Sequence, residues 1–469
     1  TDGIRYKGWV MALSVDASIS TLCYGCAVGW VSPSLLYLQA PDSPLGAPLT
    51  DSESAWVASV LCIGALVGTP VFGLLADRLG RRWAGLLIAV PYTLCWILKL
   101  SVPTVGGLLA ARVLVGIAGG GSLLIAPLYC SEIGSPRIRG ALGSLAVLTI
   151  NAGILVDFAI GAWVSYYPFL WINLGIPVAY AVGFFFMPET PTFLVKQKKY
   201  KEAADAIAWL RNISAEDPVT LGKNSEVRPT PKMLKDNPNL IPVTSRVTLR
   251  AFGICFVLIS IQGYIGIFAI NNFATVIFKD AGSSLSPGNA AIVVGALQLL
   301  GSYGSILLVE RLGRKILFIT SATLVSLAMA TLGTYFHFKN LDYDVSGVGW
   351  IPVLALSVGV AIYSLGAGPV PFVITNEVFM VQARGIATTI IIFWLWVTAF
   401  VVAQFYTSVQ DAIGSDGIFW AFAVIAISGS IFCFFVVPET KGKSLDEILP
   451  YFDKNLKKEG QRGEVGGLL

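Results

Sequence analysis

Long apolar runs alternate with short polar stretches along the whole chain. An apolar helix needs about 20 residues to cross a lipid bilayer, and a dozen runs approach or exceed that length. They lie at 9–31, 55–76, 84–102, 106–128, 140–162, 168–187, 250–276, 287–309, 315–336, 350–375, 386–408 and 416–437. Lipid offers no hydrogen-bond partner to an open sheet, so runs of this length predict helices. The pattern predicts an all-α membrane protein with twelve transmembrane helices.

Composition supports the same prediction. Hydrophobic residues make up 55% of the 469 residues and charged residues only 13%, whereas a soluble domain carries roughly a quarter charged residues. The mean hydropathy is +0.73. A large soluble all-α protein is therefore the disfavoured alternative, and we expect the lipid bilayer of the plasma membrane to surround the chain.

Basic residues are distributed unevenly between the predicted helices. If the N-terminus is cytoplasmic, 28 of the 32 Lys and Arg residues fall in cytoplasmic segments. The positive-inside rule then predicts that both termini lie in the cytoplasm. The net charge of +4 follows from this topology, and the sequence has no basic patch with interleaved aromatic residues that would indicate a nucleic-acid partner.

Three polar motifs occur twice, about half a chain apart. The pairs are "LLADRLGRR" and "LLVERLGRK", "SEIGSPRIRG" and "NEVFMVQARG", and "MPETP" and "VPETK". Each copy keeps its place within a group of six predicted helices, which indicates a parallel repeat. We therefore predict an N-terminal six-helix bundle at 1–187, a cytoplasmic linker with helices at 188–249, a second bundle at 250–437 and a cytoplasmic tail at 438–469.

Acidic and basic residues of these motifs recur at matching positions near the cytoplasmic helix ends. A single exposed ion pair contributes only ~0–1 kcal/mol, but a partly shielded network can hold one state of a bistable protein. We interpret the motifs as a gating latch in each half; the alternative is that they only anchor the helices by charge. The predicted latch comprises Asp77, Arg78, Arg81, Arg82, Glu132, Arg139 and Glu189, and then Glu310, Arg311, Arg314, Glu377, Arg384 and Glu439.

Taken together, these motifs resemble those of the sugar porters of the major facilitator superfamily. Further matching segments are "ARVLVGIAGGGSLLIAPLYCSEI", "GPVPFVITNEVF" and "VPETKGKSLDEI", so the resemblance extends from the second predicted helix to the tail. Within the family, "IFKDAGSS" and "NAGIL" look most like insect facilitated trehalose transporters. The resemblance implies two six-helix bundles around a central cavity, alternating access by rocking, a monomer and no cofactor.

The resemblance also indicates which residues would contact a small-molecule solute. A sugar hydroxyl both donates and accepts hydrogen bonds, so its pocket needs amide side chains together with aromatic faces. Gln262, Gln298 and Trp396 occupy positions where sugar porters contact the sugar. Phe268 and Phe372 stand where the family has Asn and Trp. The predicted pocket is therefore more apolar than that of a glucose carrier.

Extra amides partly compensate for these substitutions. Asn271 and Asn272 lie one turn further along the seventh predicted helix, where family members have apolar and aromatic residues, and Asn151 faces inward on the fifth. Helix–helix hydrogen bonding is the alternative role for Asn271 and Asn272. We expect the solute to be a sugar-containing molecule such as trehalose or a plant glycoside of the glucosinolate kind, rather than free glucose.

The energy source depends on acids within the predicted helices. Proton-coupled sugar porters have an Asp in the first helix, and the aligned residue here is Cys26. Facilitated diffusion is therefore the expected mode, with a proton-coupled symporter as the alternative. An ionisable residue inside a membrane is a functional candidate by default, and the candidates for proton coupling are Asp157 and Asp16. Lys99 is expected to snorkel toward the membrane surface.

Two other classes of function are less consistent with the sequence. An enzyme would need a nucleotide loop, a metal cluster or a Cys/His pair, and the chain has one histidine, His337. A non-transporting sugar sensor on the same fold would usually carry a long signalling tail, whereas the tail here is short. We therefore expect a solute carrier that is not an enzyme.

Overall fold

The computed structural model describes residues 17–133, 139–211, 246–379, 381–443, 445–448 and 451. Among these residues the secondary structure is helical and includes no strand, which confirms the predicted all-α class. The chain divides into two compact units, Thr1–Asn239 and Leu240–Leu469. We describe each unit by itself.

Among its described residues, the N-terminal unit contains six long apolar helices followed by two short helices. Its helices are α1 (Ala17–Leu38), α2 (Asp51–Leu79), α3 (Arg81–Ser101), α4 (Val105–Ile133), α5 (Arg139–Trp163), α6 (Tyr166–Phe185), α7 (Pro191–Lys196) and α8 (Tyr200–Arg211). The first helix extends beyond its predicted end at 31 because the amide of Ser34 still donates to the carbonyl of Trp30 (3.2 Å). Pro33 does not end α1, because backbone hydrogen bonds of the helix continue across it.

Close contact between α2 and α4 depends on small residues. A Cβ atom on Gly116 would lie 1.9 Å from the carbonyl oxygen of Leu61, and one on Gly64 would lie 2.2 Å from that of Val113. Helices in lipid associate largely through such backbone approach, because no hydrophobic effect drives them together there. The glycine-rich run 119–121 continues this contact surface with Thr69 and Phe72.

The C-terminal unit contains a matching set of helices, several of which are interrupted. They are α9 (Arg246–Tyr264), α10 (Ile267–Ala281), α11 (Pro287–Leu312), α12 (Arg314–Asn340), α13 (Ile351–Ile362), α14 (Val370–Val378), α15 (Val381–Val436) and α16 (Leu445–Ile448). A π-helical turn, Tyr363–Ala367, joins α13 to α14. The breaks fall within the predicted spans, at 265–266 and at 363–369, so each of those two spans consists of two helical pieces.

Eleven segments of the described residues are long and apolar enough to cross a membrane. The difference from twelve arises in α15, whose 50-residue apolar part Ala387–Val436 covers both of the last two predicted helices. At a rise of 1.5 Å per residue such a helix would be about 75 Å long, more than twice the bilayer core of about 30 Å. Gly414 (φ 79°, ψ 162°) breaks the helix between the two predicted spans.

The glycine of "GRR" and the glycine of "GRK" each end the preceding helix with a positive φ. The need for glycine at this position can be tested by substitution. Gly313 has φ 89°, and a Cβ atom there would lie 2.7 Å from Oε2 of Glu439. We expect Gly313→Ala to lower the stability of the C-terminal unit by about 1–3 kcal/mol, the usual effect of a side chain in this region of φ and ψ. Thermal unfolding in detergent, followed by circular dichroism, measures the change.

Gly253→Ala is the matched control, because nothing lies within 4 Å of a Cβ atom at that position of α9. Alanine in a helix interior is favoured over glycine, so this variant should unfold at or slightly above the wild-type temperature. Equal unfolding temperatures for Gly313→Ala and the wild type would contradict the prediction.

Candidate functional site

The C-terminal unit contains a helix break between α9 and α10. Helix α9 ends at Tyr264 and α10 begins at Ile267, with Gly266 between them at φ 99° and ψ 0°. A side chain on Gly266 would collide with the ring of Phe422, and one on Gly263 would lie 2.2 Å from Oγ1 of Thr398. Close packing against α15 therefore explains the glycine at 263.

A second break lies in the segment that joins α13 to α14. In the π-helical turn the amide of Gly368 donates to the carbonyl of Tyr363 (2.8 Å), and Pro369 and Pro371 follow. Ser321 of α12 compensates for the interrupted hydrogen-bond ladder: its hydroxyl donates to the carbonyl of Ile362 (2.6 Å) and accepts from the amide of Ala367 (2.9 Å). The break is thus stabilised by a side chain from a neighbouring helix.

Gln262 connects the two breaks. Its Nε2 donates to the carbonyl oxygen of Gly368 at 2.9 Å, and its side chain is buried. A buried carbonyl without a partner costs about 1–3 kcal/mol, so this bond holds the end of α9 against the start of α14. The structure thereby gives Gln262 a structural partner in addition to the predicted contact with solute.

The other predicted solute contacts lie on several helices. Asn271 and Asn272 of α10, Gln298 of α11 and Trp396 of α15 are buried within the C-terminal unit, and Asn151 is buried in the N-terminal unit. Phe268 and Phe372 are half-buried. Nδ2 of Asn272 donates to the carbonyl oxygen of Phe268 (2.6 Å) in its own helix, while Oδ1 of Asn271 and of Asn272 has no hydrogen-bond partner among the described residues.

A small cavity of the C-terminal unit lies beside the break between α9 and α10. Its lining is almost entirely apolar and consists of Ile265, Ile267, Ile270, Val325, Met329, Gly359, Val360 and Tyr363. A sugar needs several hydrogen-bond partners, and this lining offers a single side-chain hydroxyl. The cavity is therefore poorly suited to binding a sugar.

The charged motifs of the N-terminal unit converge on one guanidinium group. Arg81, at the start of α3, pairs with Glu132 of α4 (Nη2 to Oε1, 2.9 Å) and donates to the carbonyl oxygen of Ala76 (3.0 Å). Oε2 of Glu132 accepts from the hydroxyl of Thr190 (2.5 Å). Asp77 lies at the edge of this cluster, 3.3 Å from Nζ of Lys196.

The C-terminal unit repeats this arrangement. Arg314 pairs with Glu377 (Nη2 to Oε1, 2.7 Å) and donates to the carbonyl oxygen of Val309 (3.2 Å). Oε2 of Glu377 accepts from the hydroxyl of Thr440 (2.6 Å). Each unit thus contains a three-residue cluster of guanidinium, carboxylate and hydroxyl, which we call the Arg–Glu–Thr clamp: Arg81, Glu132 and Thr190 in one unit, and Arg314, Glu377 and Thr440 in the other.

The glutamates of the two "PET" motifs bind backbone rather than side chains. Glu189 accepts hydrogen bonds from the amides of Arg81 (2.9 Å) and Arg82 (3.1 Å), and Glu439 accepts from those of Arg314 (3.0 Å) and Lys315 (3.1 Å). A carboxylate at a helix N-terminus satisfies amides that have no partner within the helix. Each glutamate therefore caps the helix that begins with the clamp arginine.

The two capping glutamates differ in the direction in which their surroundings shift the pKa. Burial raises the pKa of Glu189 despite the hydrogen bonds that it accepts from backbone amides. For Glu439 burial also favours the neutral acid, but hydrogen bonds from four backbone amides outweigh it and hold its pKa below the ordinary value. The cap of the C-terminal unit is thus the more firmly ionised of the two.

The remaining predicted latch residues take other positions. Arg82 donates to the carbonyl oxygen of Phe185 (2.7 Å) rather than pairing with an acid, while Arg78 and Arg311 are exposed. The side chains of Arg139, Glu310 and Arg384 lie outside the described residues. Thr190 and Thr440 were not predicted, although their place after the glutamate in both "PET" copies is a signal that the sequence contains.

Besides Arg81, three charged side chains are buried among the described residues of the N-terminal unit. Lys99 is 2% exposed, and its Nζ lies 3.4 Å and 3.8 Å from the ring centroids of Trp30 and Trp96. The prediction that Lys99 snorkels to the surface is therefore wrong, because the two indole rings hold the ammonium group inside. Arg112 donates to the carbonyl oxygens of Ala27 (2.5 Å) and Val57 (2.8 Å).

Asp157 of α5 belongs to the same buried region. It is 0% exposed, and neither carboxylate oxygen has a hydrogen-bond partner of good geometry among the described residues. Its polar neighbours are the side chains of Asn173 and Cys26. The positive charge of Lys99 attracts its carboxylate electrostatically. Asp16, the other candidate for proton coupling, lies outside the described residues.

Comparison with known proteins gives a consistent result over nearly the whole chain. The profile of a family described as "Sugar (and other) transporter" matches residues 18–452. The chain is 32% identical to the facilitated trehalose transporter Tret1 of Bombyx mori over 460 residues, 95% of this chain and 89% of the relative. It is also 32% identical to the facilitated trehalose transporter Tret1-2 homolog of Drosophila simulans, over 93% and 89% of the two chains.

Solved structures resemble the chain in fold. The inward open conformation of the xylose transporter XylE from E. coli aligns with a TM-score of 0.75 and 20% identity, covering 94% of this chain and 99% of that one. A structure described as the major facilitator superfamily proton:xylose symporter XylE aligns with a TM-score of 0.72 and 21% identity, over 94% and 98% of the two chains. The predicted major facilitator fold is thereby confirmed.

The Arg–Glu–Thr clamps lead to a prediction about stability. We expect Glu132→Gln and Glu377→Gln each to lower the free energy of unfolding by about 3 kcal/mol, because each leaves a largely buried guanidinium without its counter-charge. Thermal unfolding of the purified variants in detergent measures the effect. The matched control is Glu202→Gln, which removes an exposed pair with Lys199 (3.1 Å) and should change stability by less than about 1 kcal/mol.

Similar stability losses in Glu202→Gln and the two clamp variants would contradict this prediction. A loss confined to one unit would show that the two clamps, despite their matching geometry, contribute unequally.

Proposed function

Because this chain belongs to the sugar (and other) transporter family, we propose that it carries a sugar-containing solute across a membrane by facilitated diffusion with alternating access. It is a transporter and not an enzyme, as its relatives and its fold are those of transporters. We propose the plasma membrane as its location, with both termini in the cytoplasm, and a monomer as its working form. The distribution of Lys and Arg supports this orientation.

We propose trehalose, or another solute with a glycosidic bond, as the substrate class. The two relatives at 32% identity are named as facilitated trehalose transporters. The observation that carries the proposal is the pair of buried amides, Asn271 and Asn272, whose Oδ1 atoms have no hydrogen-bond partner among the described residues. The proposed solute contacts are Gln262, Gln298, Trp396, Asn271, Asn272, Phe268, Phe372 and Asn151.

We further propose that the clamps and the capping glutamates act as the gating latch. Each clamp joins the start of one helix to the end of another through a charged bond that is partly shielded from water. A conformational change that separates these ends must break that bond, so the bond stabilises one state over the other. The exposed Arg78 and Arg311 are then charged anchors rather than members of the latch.

The proton-coupled symporter is the second candidate, and one observation favours testing it. Asp157 and Lys99 are both buried, and neither makes a hydrogen bond of good geometry with the described residues. Burial makes an unpaired charge costly, so Asp157 is the acid in this unit whose protonation a conformational change would affect most. The relatives' names favour facilitated diffusion, and the sensor alternative has no support among them.

A counterflow experiment tests the proposed function. Proteoliposomes are loaded with unlabelled trehalose, glucose or a glucosinolate, and the entry of the labelled solute is followed. We expect saturable counterflow of trehalose or the glycoside, with weaker counterflow of glucose, because two rings engage more of the amides. L-Glucose and protein-free vesicles are the controls. Saturable counterflow of glucose alone would contradict the proposed substrate class, and no counterflow of any solute would contradict the transporter function.

The energy source has its own test, for which Asp157→Asn is the variant. For facilitated diffusion, an inward proton gradient should produce no accumulation above the outside concentration, and Asp157→Asn should keep the wild-type dependence of uptake on pH. Uptake is measured at two pH values with and without a protonophore. Accumulation by the wild type that the protonophore and Asp157→Asn both abolish would establish symport instead.

A further inference from the structure

Tyr406 of α15 is a buried residue that the sequence did not single out. It is 3% exposed, and its ring stacks on Phe273 of α10 with 5.1 Å between centroids and 19° between planes. Its hydroxyl makes no hydrogen bond with the described residues. Tyrosine hydroxyls are normally paired when buried, so this hydroxyl has a hydrogen-bonding capacity that the described residues leave unused.

Two further polar atoms without partners lie on the helix against which Tyr406 packs. They are Oδ1 of Asn271 and Oδ1 of Asn272, directly before Phe273 in sequence. The described residues supply no interhelical partner for either oxygen, so helix–helix hydrogen bonding does not account for them. Each polar atom that is buried unsatisfied costs about 1–3 kcal/mol, and three of them on two packed helices form a large deficit.

A polyol satisfies this deficit well. Its hydroxyls donate to the two amide oxygens and either donate to or accept from the tyrosine hydroxyl. The stacked rings of Phe273 and Tyr406 add an aromatic surface, on which the C–H groups of a sugar ring can pack. An inorganic ion or an apolar ligand matches only part of this set.

The separation between these polar groups and Gln262 along the chain bears on the length of the ligand. Gln262 precedes Asn272 by ten residues, and at 1.5 Å per residue they are separated by up to about 15 Å along the axis. The break at Gly266 lies between them. A ligand that contacts both groups must extend along this interval, and two linked sugar rings can reach from one group to the other.

We propose that Asn271, Asn272 and Tyr406 form a second sugar subsite, which takes the distal ring of a disaccharide while Gln262 belongs to the subsite for the first ring. The inference rests on the proposed transport function and adds to it the number of rings that the site recognises. Tyr406 acts as a specificity-determining residue. Its hydroxyl contacts the distal ring, and its stack on Phe273 positions that hydroxyl.

The test compares a disaccharide with a hexose in proteoliposomes. KM and kcat are measured for trehalose, and glucose is assayed as a competing ligand. Tyr406→Phe keeps the aromatic stack and removes only the hydroxyl, and Asn272→Leu removes the amide at similar volume. We expect each to raise KM for trehalose roughly tenfold, as expected for loss of one hydrogen bond, with kcat and the inhibition constant of glucose within about twofold of wild type.

Tyr335→Phe is the matched control, because it removes a hydroxyl that donates to the carbonyl oxygen of Ala281 (3.0 Å) within the same unit. This variant should leave KM for trehalose unchanged within about twofold. Folding of every variant is checked by its elution as a single peak in detergent.

Trehalose analogues that each lack one hydroxyl separate a direct contact from a structural effect. At least one analogue should bind more weakly than trehalose to the wild type but as well as trehalose to Tyr406→Phe, since the missing partner is the same. The proposal is overturned if the variants weaken trehalose and glucose equally, if neither variant changes KM, or if every analogue responds alike in the two proteins. Absence of counterflow by the wild type would instead contradict the proposed function.

Discussion

A guanidinium group held by a carboxylate is the interaction on which each unit depends. In both units the arginine that begins a helix binds a glutamate from another helix, and a threonine from the following motif completes the carboxylate's hydrogen bonds. Charges that are largely removed from water need such complete pairing, because desolvation otherwise outweighs attraction. The "PET" glutamate next to each threonine binds the amide of the same arginine, at the start of the helix that this arginine begins. The polar motifs therefore determine where the apolar helices begin and how their ends meet.

The C-terminal unit combines this fixed end with interrupted helices. The breaks at Gly266 and at the π-helical turn release backbone groups that Gln262 and Ser321 bind from neighbouring elements. Irregular backbone at membrane depth is tolerated only where protein or a cavity satisfies it. Helix pieces joined by such bonds can move separately at modest cost. This property suits a carrier that must change conformation around its solute.

The N-terminal unit has the opposite character in its described part. Glycines bring α2 and α4 into backbone contact, and the buried charges of Lys99 and Arg112 are held by aromatic rings and by carbonyl oxygens. Lys99 between two indole rings is the clearest case, since cation–π attraction replaces part of its lost hydration. The described packing of this unit thus depends on close backbone approach and on enclosed charges.

Much of the fold was determined by the sequence itself. Apolar runs of the length of a bilayer can form only helices in lipid, and the repeated motifs indicated the two halves, so neither property required knowledge of the tertiary structure. The clamp residues could also be anticipated, because Arg81, Glu132, Arg314 and Glu377 recur at matching positions. Their partners could not: only the packed helix ends decide that Glu189 and Glu439 bind backbone amides and that Arg78 remains exposed. The sequence also contains no signal that the hydroxyl of Tyr406 lacks a partner among the described residues, or that two indole rings enclose Lys99. Both depend on which side chains from distant helices come within a few ångströms of each other.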